Sequence, residues 1–363
     1  MNRMNRSRRN LRALLRLSRT HYPGFIFGLP VTGGTPVFTY HDVEPKEFAG
    51  DLEFLARNGY RTLGLDEFVA TRKNPPGRCV LLTFDDARKS FYTVALPLLR
   101  QYRARATLFV PSYWMGADLF MSWAQVRECR ESGLVDVESH AHRHALVFTS
   151  QRLVDFATPA ALARFDIYDW PMRSVDGADE LGLPQAGTPI YAAEPLLSAA
   201  RRYVENTELA QACREFVRQG GGAEFFKQPG ALKSLAAFHG QRAARLPGQF
   251  LPEEAFVRLA ASEFECCREA FRTHLGFAPR YLAYPWMLGS RRSLELARRA
   301  GIEAAFGVAL DYRAARDHNL PIAVFGRLKC EWLRFLPGTS RANVLGAIKR
   351  KLKGFRQTQH LAH

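Results

Sequence analysis

Two adjacent carboxylates, Asp85 and Asp86, follow a mostly apolar run, residues 80–84, that is typical of a buried strand. Adjacent side chains on a regular strand point to opposite faces, but the chain turns where a strand ends, and there both can face one pocket. One carboxylate could then bind a metal ion while the other accepts a proton, because their mutual repulsion raises the pKa of the unligated group. The pair alone fits a helix N-cap and a turn residue equally well.

Two histidines, His140 and His144, stand four residues apart at the end of another strand-like run, residues 134–140. On one helical or tight turn this spacing places both imidazoles on the same side, as a metal ion requires, while His142 points elsewhere. Two histidines and a carboxylate from another strand would leave open positions for water and substrate, which marks a catalytic metal. The spacing alone is also compatible with a surface histidine cluster.

The elements that must position these residues alternate along the chain. Strand-like runs separated by helical patterns and short loops predict parallel βα units, in an open sheet or a barrel. The predicted strands span residues 37–41, 60–63, 80–84, 106–110, 134–140, 281–284, 304–308 and 322–325. In parallel folds, functional side chains collect at the carboxyl ends of strands. His41, the Asp85 pair, His140 and the stretch 284–286 all fall at such ends.

The alternation fails between residues 146 and 249. This stretch contains prolines, three glycines at 220–222 and helical patterns such as 194–219, but no clear series of strands. We interpret it as a mainly helical insertion of roughly 100 residues, after which a long helix begins at Pro252. The sequence therefore predicts a basic tail at 1–36, a barrel made of 37–145 and 250–335, the insertion at 146–249 and a second basic tail at 336–363.

The positive charge is concentrated at the two ends of the chain. Of a net charge of +16, thirteen charges come from residues 1–20 and 341–363, which contain no acidic residue. The nearly balanced central part argues against nucleic-acid binding. Both ends interleave charge with apolar residues, a pattern that suits an anionic membrane surface, and solvated flexible ends are the alternative.

The cysteines and the apolar stretches indicate the cellular compartment in which we expect the protein. Six scattered cysteines without a C-x-x-C pattern predict reduced thiols. Residues 7–11 faintly resemble a twin-arginine export signal, but arginines occupy the region that should be apolar, and no run is long enough to span a bilayer. We therefore expect a cytoplasmic protein, with peripheral contact at the inner membrane face as a further expectation.

The sequence resembles the polysaccharide deacetylases of the NodB-homology type, carbohydrate esterase family 4. The resemblance lies in Thr-Phe-Asp-Asp at 83–86 followed by Ser-His-Ala-His-Arg-His at 139–144, and covers residues 37–145 and 250–326. It implies a distorted (β/α)7 barrel. It also implies that Asp85 is the general base, and that Asp86, His140 and His144 hold a divalent metal, zinc first, with cobalt, nickel or manganese as alternatives.

The sequence departs from the usual pattern of that family in two places. The third motif aligns with residues 282–287, where the arginine that orients the base is missing and Arg280 is a weak substitute. No histidine stands at 320–328 to serve as the acid. Both departures resemble the circularly permuted poly-N-acetylglucosamine deacetylase branch. That branch implies that His41, at the end of the first strand, is the acid.

The same branch implies that the Trp286 backbone N–H is the oxyanion donor, with Tyr284 beside it in substrate binding. Asp42 is a candidate to orient the imidazole of His41. Aromatic residues near the motifs could stack on sugar rings or pack in the core. These residues are Tyr113, Trp114, Trp123 and Trp286.

The resemblance implies a metal-dependent hydrolase that removes N-acetyl groups from an N-acetylated sugar of a surface polysaccharide or its precursor. The expected partner is this glycan and not nucleic acid. The alternatives are an amidase or esterase acting on a non-sugar acyl group, and a catalytically inactive carbohydrate-binding protein.

Overall fold

The computed structural model describes residues 24–27, 31, 34–71, 74, 77–175, 178–307 and 320–342. Residues 1–23 and 343–363 lie outside the described residues. They carry most of the two basic tails, so the expected membrane contact and cytoplasmic location stay predictions. Within the described ranges, no helix combines the length and apolar character needed to cross a membrane.

Short strands and helices alternate through the described chain. The strands are β1 (Val37–Tyr40), β2 (Arg61–Thr62), β3 (Cys79–Phe84), β4 (Ala106–Val110), β5 (Val135–Ser139), β6 (Leu146–Phe156), β7 (Arg173–Val175), β8 (Ala178–Glu180), β9 (Pro189–Pro195), β10 (Tyr203–Val204), β11 (Gln249–Phe250), β12 (Tyr281–Ala283), β13 (Ala304–Phe306), β14 (Ala323–Phe325) and β15 (Leu328–Lys329). The α-helices are α1 (Pro45–Arg57), α2 (Leu65–Thr71), α3 (Leu96–Tyr102), α4 (Trp123–Glu131), α5 (Pro159–Arg164), α6 (Thr207–Gln219), α7 (Ala231–Ala243), α8 (Glu253–Leu275) and α9 (Arg291–Arg299).

Nine of these strands form one mostly parallel sheet, in the order β14-β13-β12-β5-β4-β3-β1-β15 with β2 beside β3. β3 pairs in parallel with both β1 and β4. Every residue of β3 and β4 is buried, which explains their nearly continuous apolar sequences. The predicted α/β class with a parallel sheet is confirmed.

Two compact units can be recognised from the internal contacts. Among the described residues, the first unit comprises those up to 109, those of 115–137 and those from 327 onward, and the second comprises those of 110–114 and 138–326. The predicted boundaries between barrel, insertion and tails stay a prediction.

The core of the first unit contains an aromatic cluster at the end of β1 and β3. The Tyr40 and Phe84 rings stack with centroids 4.9 Å apart, and Phe48 meets both edge-on. The Tyr40 hydroxyl donates to Oδ2 of buried Asp51 at 3.0 Å, and Nε of Arg334 donates to Oδ1 at 2.6 Å. Burial raises the pKa of both Tyr40 and Asp51. This network fixes the strand that leads into His41.

In the second unit, residues 146–249 contain strands as well as helices. β6 pairs with β9, β7 with β8 and β10 with β11, all antiparallel. The helix predicted over 194–219 is therefore wrong at its start: β9 runs to Pro195, and α6 begins only at Thr207. Asn206 sets that start, because its side chain accepts a hydrogen bond from the Leu209 N–H. Irregular register between β6 and β9 hides the strand alternation in the sequence.

We expect the Tyr40→Phe substitution to lower the free energy of unfolding by about 1–2 kcal/mol, because it keeps the ring and leaves one oxygen of buried Asp51 without that donor. Urea unfolding measures the change. Tyr92→Phe is the control, since the Tyr92 hydroxyl bonds Glu128 at an exposed position, and it should cost less than about 0.5 kcal/mol. Equal stabilities of the two variants would contradict the assigned role of Tyr40.

Candidate metal centre and catalytic site

A buried arginine holds the first carboxylate of the pair. Asp85 follows β3 and is 2% exposed, and Arg327 follows β14 and is 3% exposed. Nη1 and Nη2 of Arg327 donate to Oδ1 and Oδ2 of Asp85 at 2.6 and 2.8 Å. Nη1 also lies 3.3 Å from the Thr39 hydroxyl oxygen. Two parallel bonds from a planar guanidinium fix both the position and the plane of the carboxylate.

Arg327 was not among the residues predicted from the sequence. The candidate named in its place, Arg280, is wrong: its side chain is half exposed and donates to Glu303 at 2.8 Å. Its position in the sequence could nevertheless have indicated Arg327, because this arginine stands two residues after the predicted strand 322–325. The strand-end rule that selected the histidines applies equally to a basic residue.

His41 lies beside the same carboxylate. Its Nε2 is 3.9 Å from Oδ2 of Asp85, and its side chain is 53% exposed. The parallel pairing of β1 and β3 sets Tyr40 opposite Phe84, so the residues that follow are neighbours. At 3.9 Å the two groups are near each other without a hydrogen bond. The exposed imidazole can therefore reach a ligand that approaches Asp85.

Asp42, the candidate to orient His41, contacts a serine in this structure. The Ser90 hydroxyl donates to Oδ1 of Asp42 at 3.4 Å, and it accepts from the Val43 N–H at 3.1 Å. These bonds tie the turn after β1 to the segment that follows β3. Asp42 thus stabilises the turn on which His41 stands.

The structure brings the three predicted metal ligands together. Asp86, His140 and His144 are buried, and each offers one ligand atom, all within 4.8 Å of one another. His140 Nδ1 lies 2.8 Å from the Ala283 carbonyl oxygen, so that Nδ1–H donates and Nε2 is the nitrogen available to a metal. Two imidazoles and one carboxylate fit a divalent ion with open coordination positions.

Strained backbone marks the turns that carry these residues. Six non-glycine residues after β3, β5 and β12 adopt the left-handed region, which costs roughly 1–3 kcal/mol each. They are Asp86 (φ 69°), Ala87 (48°), Ala141 (62°), His144 (52°), Trp286 (59°) and Met287 (58°). Such conformations persist only where surrounding contacts hold them, and this is typical of ligand-binding turns.

A glutamate on α8 provides such contacts for the histidine turn. Glu263, 1% exposed, accepts from the backbone N–H groups of His142 and Arg143 at 3.1 and 2.8 Å. Its other oxygen accepts from Nη1 of Arg143 at 2.7 Å. Burial raises the pKa of Glu263, and Arg143 opposes that effect. Glu263 lies 121 residues from His142 in sequence, and no motif pointed to it.

His142 faces away from the proposed ligand set, as predicted. Its Nδ1 lies 2.8 Å from the Ser112 hydroxyl oxygen. Burial, together with the charge of Arg143, lowers the pKa of His142 to about 4. His142 is therefore neutral at pH 7 and belongs to the support of the turn.

The two residues predicted to contact substrate differ in their surroundings. The Trp286 ring lies 5.3 Å from the His144 ring, and its buried Nε1 has no hydrogen-bond partner among the described residues. Tyr284 is 1% exposed and packs in the core near Leu294, where its hydroxyl accepts from Ser293 at 3.1 Å. These contacts give the Tyr284 side chain a packing role. The oxyanion role of Trp286 stays a prediction.

Two other aromatic residues near the motifs, Trp114 and Tyr113, differ in their exposure. The buried Trp114 donates from Nε1 to the Arg143 carbonyl oxygen at 2.7 Å, which is a structural role. The Tyr113 ring is 49% exposed and stands edge-on to Trp114 and His142. Of these two, Tyr113 has the ring surface that a sugar could contact.

Comparison with known sequences finds a family model and relatives that match the stretch containing the motifs. Residues 72–159 match the family model described as polysaccharide deacetylase. The Bacillus subtilis protein YxkH is 32% identical over 120 residues, 30% of this chain and 43% of that protein. The poly-beta-1,6-N-acetyl-D-glucosamine N-deacetylase of Staphylococcus epidermidis is 31% identical over 126 residues, 32% of this chain and 44% of the relative. The matched stretch spans less than half the length of either relative.

A solved structure is similar over most of the chain. A de-N-acetylase from Aggregatibacter actinomycetemcomitans superposes with a TM-score of 0.50 over 81% of this chain and 94% of that one, at 16% identity. At this identity the likeness shows the fold. The predicted NodB-type fold is thereby confirmed.

We expect Glu263→Ala to lower the free energy of unfolding by about 3 kcal/mol, because it leaves Arg143 and two backbone N–H groups without their shared acceptor. Hydrogen exchange at the amides of His142 and Arg143 should become faster. Glu265→Ala, at an exposed position of the same helix, is the matched control and should be nearly neutral. Unchanged exchange in Glu263→Ala would refute the anchoring role.

Proposed function

We propose that this chain, which carries a polysaccharide deacetylase domain of the NodB type, is a metal-dependent hydrolase that removes N-acetyl groups from an N-acetylated sugar of a surface polysaccharide or its precursor. The observation that carries the proposal is the buried group of Asp86, His140 and His144 next in sequence to a carboxylate held by Arg327. The substrate class is supported by the name of the Staphylococcus epidermidis relative.

Asp86, His140 and His144 would hold the ion. A divalent metal, for which zinc is our first choice given this donor set, supplies Lewis-acid polarisation of the acetamide carbonyl and makes water more acidic. The bond from His140 Nδ1 to the Ala283 carbonyl oxygen keeps the ring in the tautomer that a ligand needs. Cobalt, nickel and manganese accept the same donors.

Asp85 is the proposed base. Arg327 occupies one lone pair on each of its oxygens, and a carboxylate retains further lone pairs that can accept the proton of an attacking water. The water oxygen then forms a bond to the acetyl carbon. Because Arg327 fixes the carboxylate plane, Asp85 does not have to be ordered during the reaction.

His41 is the proposed acid. When the C–N bond breaks, the sugar nitrogen needs a proton, and the exposed imidazole near Asp85 can deliver it. The products are acetate and a free amine. The Trp286 backbone N–H is the proposed donor to the oxyanion, since its ring lies beside the metal ligand His144.

We expect His140→Ala and Asp86→Ala to lose bound metal, from about one ion per chain in the wild type to near zero, because two ligands hold a divalent ion poorly. Elemental analysis after dialysis measures the ratio. His274→Ala is the control and should retain metal, since it removes an imidazole in the last turn of α8, outside the group of Asp86, His140 and His144. Metal retained by both ligand variants would refute the site assignment.

We expect Asp85→Asn, Arg327→Lys and His41→Ala to keep the metal yet release acetate from N-acetylated glycans at least about 100-fold more slowly. Lysine keeps the charge of Arg327 but cannot make the paired bonds. Arg280→Met, which removes a surface arginine paired with Glu303, should remain active. Normal rates in Asp85→Asn would exclude Asp85 as the base.

A panel of N-acetylated glycans, acyl esters and non-sugar amides distinguishes a glycan deacetylase from the alternative hydrolases.

A further inference from the structure

We propose that Tyr168, a residue of the insertion predicted between residues 146 and 249, is a positioning residue for the metal ligand His144. The inference rests on the proposed metal centre and gives the insertion a direct part in it. The Tyr168 and His144 rings stack with their centroids 4.0 Å apart and their planes 23° from parallel. Tyr168 is 5% exposed, so its ring is confined against the imidazole.

Hydrogen bonds within its own segment fix the backbone at Tyr168. It is the middle residue of the 3-10 turn Ile167–Asp169. Oδ1 of Asp166 accepts from the Tyr168 N–H at 3.3 Å, and Oδ2 of Asp169 accepts from the Asp166 N–H at 2.9 Å. This reciprocal capping holds both ends of the turn. The ring is thus presented from a rigid support.

Trp114 fixes the same ring from a second direction. Its ring lies 5.6 Å from that of Tyr168 at an angle of 76°, an edge-to-face contact. Its Nε1 donates to the carbonyl oxygen of Arg143, the residue before His144. One tryptophan therefore binds both the tyrosine and the backbone that leads into the ligand.

His144 needs positioning because its backbone is strained. Its φ of 52° lies in the left-handed region, where a side chain is unfavourable, so surrounding contacts must hold both the backbone and the ring. His140 is oriented by a hydrogen bond to a carbonyl oxygen. At His144 the stack covers a ring face and opposes rotation of the imidazole out of the direction that a metal requires. Removing a hydrogen-bonded partner of a metal ligand typically weakens metal affinity about 10- to 100-fold, and we expect the stack on His144 to matter to a similar degree.

The test compares metal binding by the full-length protein and its variants after removal of metal. Zinc affinity is measured by competition with a chelating dye, and cobalt absorption spectra report the geometry of the bound ion. We expect Tyr168→Leu to weaken zinc binding at least about 10-fold and to change the cobalt spectrum. Tyr168→Phe keeps the ring and should match the wild type in both measurements. Tyr168→Met, which fills space without a ring face, replaces the leucine variant if that variant does not fold.

Tyr191→Leu is the matched control. Tyr191 is another buried tyrosine of the insertion, 3% exposed, whose ring packs against Phe148 and Tyr203. Its loss should lower the melting temperature yet leave zinc affinity and the cobalt spectrum unchanged. An equal loss of affinity in Tyr191→Leu would show a general effect of destabilisation and would overturn the proposal.

The remaining outcomes separate the inference from its premise. Wild-type zinc affinity and spectrum in Tyr168→Leu, or in Tyr168→Met where it replaces the leucine variant, would overturn the positioning role. A loss in Tyr168→Phe as large as that in Tyr168→Leu would assign the effect to the hydroxyl and not to the stack, and would also overturn it. Failure of the wild type to bind zinc, or unchanged binding in His144→Ala, would instead overturn the metal centre itself.

Discussion

The pairing of Asp85 with Arg327 is the interaction on which the proposed chemistry depends. Both side chains are almost completely removed from water, at 2% and 3% exposure. A buried charge without its partner is strongly destabilising, so each group requires the other in its present place. The strand that ends at Asp85 and the segment that follows β14 must therefore stay in one register. The arrangement that stabilises the first unit also orients the proposed base.

The turns around the site are held at a conformational cost. Residues after β3, β5 and β12 adopt left-handed backbone conformations without the freedom of glycine. Contacts from distant parts of the chain compensate for this: Glu263 binds the turn that carries the histidines, and Tyr168 covers one of their rings. The site thus consists of a few strained turns after strands and of a surrounding set of residues whose role is to hold them.

The sequence predicts the residues on the turns after the strands much better than it predicts the residues that hold these turns. Asp85, Asp86, His140 and His144 could be found because they follow apolar runs, and parallel strands place such positions at one edge. Arg327 and Glu263 lie 242 and 121 residues from the groups that they contact, and no local pattern encodes such a pairing. The α/β class followed from alternation. The strands of the insertion did not follow from the sequence, because β6 and β9 pair with shifts in register that break the strict alternation of side chains along a strand.

The order of the strands determines when, during synthesis, the proposed base can gain its arginine partner. β1, near the start of the described chain, pairs in parallel with β15, near its end, with Phe38 opposite Leu328. Translation delivers the amino-terminal strands first, yet β1 gains β15 at its other edge, and the Asp85 carboxylate gains Arg327, only when residues 327–329 have emerged from the ribosome. Such non-local pairing makes folding slow. A nascent chain that lacks the residues from 327 onward therefore exposes one edge of β1 and leaves the proposed base without its arginine, so this is the interval in which chaperones would be needed most.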